Sequence, residues 1–433
     1  MTGSALSPPT RVRALRAGGW ALLGRALLRA AGLLRTLILA RLLTPLDFGV
    51  MGTALVIIGA IEAFTSTGFE AALVQRRDDV EQFYDSAFTL QVLRGACLAL
   101  LLWWIAPAAA LFFSGTELVP VLRVTGIALV LRGFVNPARL HLIRELRFDR
   151  LFWWSVPEAT IGLLLAVGFG LWMRNVWALV CTFIGTQAVT TVVSHFMVRR
   201  QPHFALDWSR VRAMVQYSKW VLATHILDFL ILQGDSAFVA KVLGVAQLGF
   251  YQVASRVAEL PLRGFTQVVG DVGLPSLSAM QNDRERLLRW YFTGQGAVLL
   301  VQILFVTPVL LFGGQITGAL LGDRWLPLVT TLKILTIAMV LRSFLVIAST
   351  LFNAYGEPRY SYRIHAARLA FMGVVIYPLG RLLGIEGVAI AAVVGLIGGT
   401  LVYFVTIRRL LNVGGLEHLK RLLRQRSPKW RFE

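Results

Sequence analysis

Apolar residues run in long blocks along the whole chain, separated by short basic stretches. A helix needs roughly 20 mostly apolar residues to cross a bilayer. By that measure the pattern predicts spans near residues 19–43, 47–73, 85–113, 118–138, 151–173 and 176–198. A second set follows near 213–243, 246–273, 287–313, 326–352, 361–383 and 386–407. A transmembrane barrel would instead show alternating segments of about 10 residues. The expected fold class is therefore an all-α polytopic membrane protein with twelve transmembrane helices.

Composition agrees. Of 433 residues, 56% are hydrophobic and 15% charged, where a soluble domain carries about 25%. The net charge of +20 would suggest nucleic acid in a soluble protein. Here it follows the membrane, and no nucleic-acid partner is expected. With the N-terminus inside, the cytoplasmic segments and tail hold 26 of the 43 cations, from Arg11, Arg13 and Arg16 to Arg431. The outer ends hold only 5, namely Arg41, Arg174, Lys241, Arg324 and Arg381. That bias places both termini in the cytoplasm. The first apolar stretch contains arginines and has no small-residue cleavage site, so it reads as a span and not as a signal peptide. Cys97 and Cys181 sit in separate apolar blocks and imply no disulfide framework. The basic tail, RRLLNVGGLEHLKRLLRQRSPKWRF, has leucines at helical spacing; lying on anionic membrane lipids and remaining solvated are both open to it.

The chain repeats itself. ILARLLTPLDFGVM (38–51) is echoed by FVAKVLGVAQLGFY (238–251), with Ala40, Arg41, Leu43 and Gly49 matching Ala240, Lys241, Leu243 and Gly249. LRGF (131–134) is echoed by LRSF (341–344). These echoes divide the chain into two six-helix lobes, 1–205 and 206–433, the second carrying the basic tail. Six spans is an even number, so the halves form a parallel repeat with a pseudo-two-fold along the membrane normal. Such halves commonly hold substrate between them, near the midplane.

Twelve cations fall within or near the ends of spans: Arg25, Arg29, Arg35, Arg94, Arg123, Arg132, Lys219, Arg256, Arg263, Lys333, Arg342 and Arg368. A cation facing lipid at the bilayer centre costs at least about 2.5 kcal/mol. Each must therefore snorkel, pair or face water. Arg123, Arg263 and Arg368 are near enough to span ends to snorkel. Arg25 and Arg29 are not; four residues apart, they share one helix face. Glu62 on the second span is a candidate partner for them. In the second half, His225, Asp228 and Asp235 form one stripe, and Gln252, Arg256, Glu259 and Arg263 another. Arg256 and Arg263 can pair with Glu259 along the helix, or these faces can line a wet cavity. Asp228 and Asp235 are candidates for a proton or Na⁺ coupling site.

LARLLTPLDFGVMGTA, GFEAALVQRRD, AKVLGVAQLGFYQVASRV and NAYGEPRY together resemble the multidrug/oligosaccharidyl-lipid/polysaccharide exporter superfamily. Within it the chain is similar to the polysaccharide transporter family, whose members include O-antigen and capsule flippases. Some members have fourteen spans; this chain stops near twelve. The resemblance implies alternating access by two lobes. It also implies a lipid-linked oligosaccharide moved from the inner to the outer leaflet of a bacterial inner membrane. A polysaccharide polymerase or glycosyltransferases would be the natural partners. Arginines suit a pyrophosphate headgroup, which makes Arg25, Arg29 and Arg256 the candidate substrate-binding cations, with Glu62 and Glu259 beside them. A cation-coupled drug exporter is the first alternative, disfavoured by the basic midplane. A non-transporting scaffold for polysaccharide assembly is the second. No P-loop, metal cluster or nucleophile–base set is written in the sequence, so no enzyme and no cofactor are expected.

Overall fold

The computed structural model describes residues 11–65, 84–137, 142, 147–197, 200–207, 218–260, 284–354 and 358–411. Over these residues the regular structure is helical throughout, without strands. The helices are α1 (Arg11–Leu42), α2 (Pro45–Phe64), α3 (Tyr84–Phe113), α4 (Leu118–Gly133), α5 (Phe148–Met173) and α6 (Val176–Met197). They continue with α7 (Ser218–Phe238), α8 (Val245–Ala258), α9 (Arg284–Leu320), α10 (Val329–Ala354) and α11 (Pro358–Leu411). The last helix is two segments. Gly384 breaks it with φ 61° and ψ −138°, a conformation that glycine adopts without a side-chain clash. The break falls between the two spans expected at 361–383 and 386–407.

Seven helical stretches among the described residues are long and apolar enough to cross a membrane. Helix α1, which carries Arg25 and Arg29, is long enough but too polar to be counted among them; α7, which carries Asp228 and Asp235, is 21 residues long. Large apolar side chains remain outside, among them Trp104 (86% exposed), Leu111 and Leu382. Water would penalise such a surface and lipid does not. The chain is a multi-pass membrane protein.

Two compact units divide the chain, residues 1–233 and 234–433. In the first, α1 runs along α5, α5 along α6, and α3 along α4, while α2 meets α4 and α6. In the second, α9 packs on α10, α10 on α11, and α8 on α10. The pairings α2–α4 and α3–α4 of the first unit are thus repeated as α8–α10 and α9–α10 in the second. Chemistry at the matched contacts differs. Gly95 and Gly133 let α3 and α4 touch backbone to backbone. A Cβ on Gly95 would stand 2.6 Å from the Leu129 carbonyl oxygen. In the second unit Ser343 occupies the position of Gly133, and its hydroxyl donates to Gln302 at 3.1 Å.

The repeated corner holds its burial pattern. Ala40 and Ala240 are fully buried, Gly49 and Gly249 are buried, and Arg41 and Lys241 are exposed. The turns themselves are built differently. In the first, Thr44 caps α2, and its backbone N–H donates to Asp47 at 2.8 Å, with Pro45 opening the helix. In the second, a π turn (Val239–Leu243) ends at Gly244, whose φ of 99° reverses the chain.

Candidate functional site

Helix α1, which carries Arg25, Arg29 and Arg35, packs along α5. Gly24 lets α1 approach closely, its missing Cβ 3.5 Å from the Phe152 Cα, and Trp20 meets the Phe152 ring at 5.1 Å. Next to Gly24 and a turn beyond it, Arg25 and Arg29 are half-buried, and both interact with neighbouring groups. Farther along α1 a recess opens between α1, α5 and α6. Its volume is about 80 Å³, or about 340 Å³ with the open space at its mouth. Arg35, Glu158 and Thr186 supply its polar wall, and Leu28, Gly32 and Leu163 part of its apolar wall. Arg35 Nη1 donates to the Thr186 hydroxyl across 3.4 Å, a long bond, and Glu158 lies within electrostatic range.

Glu62 does not serve Arg25 or Arg29. Its carboxylate is taken by Arg132 of α4, whose Nη1 stands 2.8 and 3.0 Å from the two oxygens. Arg94 of α3 braces the same end of α2, donating to the Glu62 carbonyl at 3.3 Å and the Thr65 hydroxyl at 3.4 Å. The second unit repeats the device: Arg342 of α10 pairs with Glu259 at the end of α8, at 2.8 Å. Both arginines stand second in the repeated LRGF/LRSF stretch. Glu259, for which the sequence offered pairing along its own helix or a place in a wet cavity, makes this contact between helices. Its other sequence candidate, Arg263, lies outside the described residues.

Asp235 sits at the C-terminal end of α7, where its carboxylate accepts from the Tyr251 hydroxyl at 2.7 Å and the Ser236 N–H at 2.7 Å. Arg368 lies in electrostatic range of Asp235, Tyr251, Glu259 and Arg342. Arg368 does not snorkel as its place in the sequence suggested. It is only 9% exposed, because acidic groups on α7 and α8 give its charge partners inside the unit. Arg123 also finds a partner, with its guanidinium 4.6 Å over the Trp103 ring. His225, Asp228 and Arg256 are all exposed on their helices. Arg25 and Arg29 belong to the first unit, Arg256 and Asp235 to the second.

Arg35, Arg132, Arg342, Arg368 and Tyr251 were not among the sequence candidates for a site. The echo of LRGF in LRSF was the available signal for two of them. Its meaning needed the partners, 70 and 83 residues away in the chain. Among the described residues no group of three or more His, Cys, Asp or Glu is placed to hold a metal ion.

Comparison with known proteins converges on one family. A family profile described as "Polysaccharide biosynthesis protein" matches residues 38–330. The chain is 25% identical over 268 residues to the succinoglycan biosynthesis transport protein ExoT of Rhizobium meliloti. That match covers 62% of this chain and 54% of ExoT, so it spans about half the relative's length. It is 20% identical over 409 residues to the lipopolysaccharide biosynthesis protein WzxC of Escherichia coli, covering 93% of this chain and 82% of WzxC. Among solved structures, the fold is similar to the lipid II flippase MurJ (TM-score 0.74, 15% identity, 92% of this chain and 89% of that one). It is also similar to an inward-facing MATE transporter of the MOP superfamily (TM-score 0.70, 16% identity, 94% and 100%). These last two likenesses concern the fold. The profile covers about two thirds of the chain, and so the chain belongs to the polysaccharide biosynthesis protein family.

Proposed function

We propose that the chain flips a polyprenyl-pyrophosphate-linked oligosaccharide from the inner to the outer leaflet of a bacterial inner membrane, with both termini cytoplasmic. Two six-helix lobes, 1–205 and 206–433, alternate access to the two sides. Arg25 and Arg29 hold the pyrophosphate with Arg256. Glu62 and Glu259 serve this site indirectly, by fixing α2 to α4 and α8 to α10. A polymerase or glycosyltransferases act on the same lipid before or after it. The names of ExoT, WzxC and MurJ support the substrate class.

The carrying observation is that charged side chains on helices expected to span remain accessible and are not sealed into the core. Asp228 and Arg256 are exposed, and Arg25 and Arg29 only half-buried. Facing lipid at mid-depth, each would cost at least about 2.5 kcal/mol. Facing a hydrated path, they cost little, and arginines there attract an anionic headgroup. Asp228 and Asp235 are the candidate coupling groups for a proton or Na⁺. The Tyr251 hydroxyl and the Ser236 N–H donate to Asp235, and Arg368 lies in electrostatic range, so the surroundings of Asp235 supply donors and positive charge in place of the oxygen ligands a metal ion needs.

Reconstitution tests this reading. Vesicles holding the purified chain should translocate a fluorescent polyprenyl-pyrophosphate oligosaccharide, and empty vesicles should not. Equal rates in both would end the proposal.

A further inference from the structure

The recess at α1, α5 and α6 is a built site that the pyrophosphate reading does not use. It lies at mid-span: Glu158 is near the middle of α5, Thr186 near the middle of α6, and Arg35 is seven residues from the end of α1. Its polar wall offers both hydrogen-bonding roles. Among the described residues Arg35 spends one N–H on the long bond to Thr186, and a guanidinium has five. Those left over are donors toward the recess. Glu158 supplies acceptor oxygens. The Thr186 hydroxyl donates its own proton to the Thr182 carbonyl at 2.7 Å, so toward the recess it acts as an acceptor.

Charge decides what such a wall can receive. Arg35 and Glu158 oppose each other, so an anion gains little there and a cation gains little. Donors and acceptors side by side, with Leu28 and Leu163 as an apolar wall, match a ring that carries hydroxyl groups on carbon. Gly32 keeps the space open, since a Cβ there would meet nothing within 4 Å. Arg35 lies ten residues beyond Arg25 on α1, about 15 Å along the axis at 1.5 Å per residue. That separates a sugar subsite from the proposed phosphate cations without leaving the same helix. We propose that this recess receives one neutral sugar ring of the transported oligosaccharide, an inference that rests on the flippase reading.

The test uses the full chain in detergent or nanodiscs and two probe types. One is farnesyl pyrophosphate. The other is a panel of farnesyl-pyrophosphoryl hexoses and N-acetylhexosamines. Wild type should bind at least one sugar-bearing probe about tenfold more tightly than farnesyl pyrophosphate. In Gly32→Leu, which fills the recess, and in Arg35→Gln, that advantage should vanish while farnesyl pyrophosphate binding is kept. An advantage that persists in both variants overturns the subsite, as does a panel in which no sugar adds affinity. Failure of farnesyl pyrophosphate to bind wild type would instead strike the flippase reading itself. A second measurement avoids any folding defect in those variants. With Cys97 and Cys181 changed to serine, a Gly32→Cys protein is labelled after folding with a bulky polar thiol reagent. The preferred sugar probe should slow labelling at least fivefold and farnesyl pyrophosphate should not; equal rates with both probes would overturn the subsite.

Discussion

Arg132 places one guanidinium nitrogen against both carboxylate oxygens of Glu62, at 2.8 and 3.0 Å, tying α4 to α2. Arg342 and Glu259 make the matching tie between α10 and α8. Counted from the corners at Gly49 and Gly249, Glu62 lies 13 residues on and Glu259 only 10, one helical turn apart. The repeat has thus preserved the contact while letting its glutamate slide by a turn. Surroundings differ as well. Arg132 and Glu62 side chains are 62% and 25% exposed, Arg342 and Glu259 only 21% and 17%.

Breaking the two ties should therefore cost different amounts. Arg342→Ala takes the hydrogen-bonded cation from a largely buried carboxylate, for about 3 kcal/mol. Arg132→Ala costs about 1 kcal/mol or less if water reaches that pair. Thermal unfolding of the purified protein, followed by size-exclusion fluorescence, should show the larger drop for Arg342→Ala. The double exchange Arg342→Glu with Glu259→Arg should recover part of it. Equal drops for the two single variants would mean that lipid, not water, covers Arg132.

The Gly95 contact sets a second expectation. A methyl group there would meet the Leu129 carbonyl oxygen at 2.6 Å, and a backbone cannot yield as a side-chain tip can. Gly95→Ala should destabilise the protein by roughly 1–3 kcal/mol, as overpacking does. Gly168, whose added Cβ meets nothing within 4 Å, should accept alanine without loss. The same unfolding assay compares them.

These contacts show where sequence reading succeeds and stops. Apolar blocks mark spans because one helix needs only its own residues to cross the bilayer, and α3, α5 and α6 fall close to the expected bounds. Gly384 breaks α11 where two spans were expected to meet. The corner echo was legible because both copies keep alanine, a cation and glycine in order. Partners across helices were not legible. Glu62 was matched to the nearest span with spare cations, α1, whereas its arginine comes from α4. Arg368 looked like a residue that reaches the interface, and only the packing of α7 and α8 gives it acidic neighbours. Arg35 carried no signal beyond being one of twelve stranded cations, because a recess is a property of three helices together.

Asp235 and Tyr251 give a further prediction. Removing the Tyr251 hydroxyl takes a donor from the carboxylate, at a cost of about 1.5–3 kcal/mol for a hydrogen bond to a charged group. Tyr251→Phe should thus lower the unfolding temperature. Asp235→Asn should leave substrate binding intact and make transport indifferent to an imposed proton gradient. A gradient response equal to wild type in Asp235→Asn would move the coupling role to Asp228 or elsewhere.

Topology is open to a direct check. The basic bias of the segments expected to be cytoplasmic is the ground for proposing both ends inside. Reporter fusions that fluoresce only in the cytoplasm should be bright at each terminus and dark when inserted beside Arg174. A bright reporter at that outer position would reverse the assignment.

Flipping as proposed requires Arg25 and Arg29 to act as the anion clamp of a hydrated path. The measurement that bears on it directly is flipping of a fluorescent polyprenyl-pyrophosphate oligosaccharide by vesicles holding Arg25→Gln, Arg29→Gln protein. With folding verified, the rate should fall at least tenfold, and the affinity for farnesyl pyrophosphate should fall with it. A double variant that flips and binds as wild type does would contradict the account.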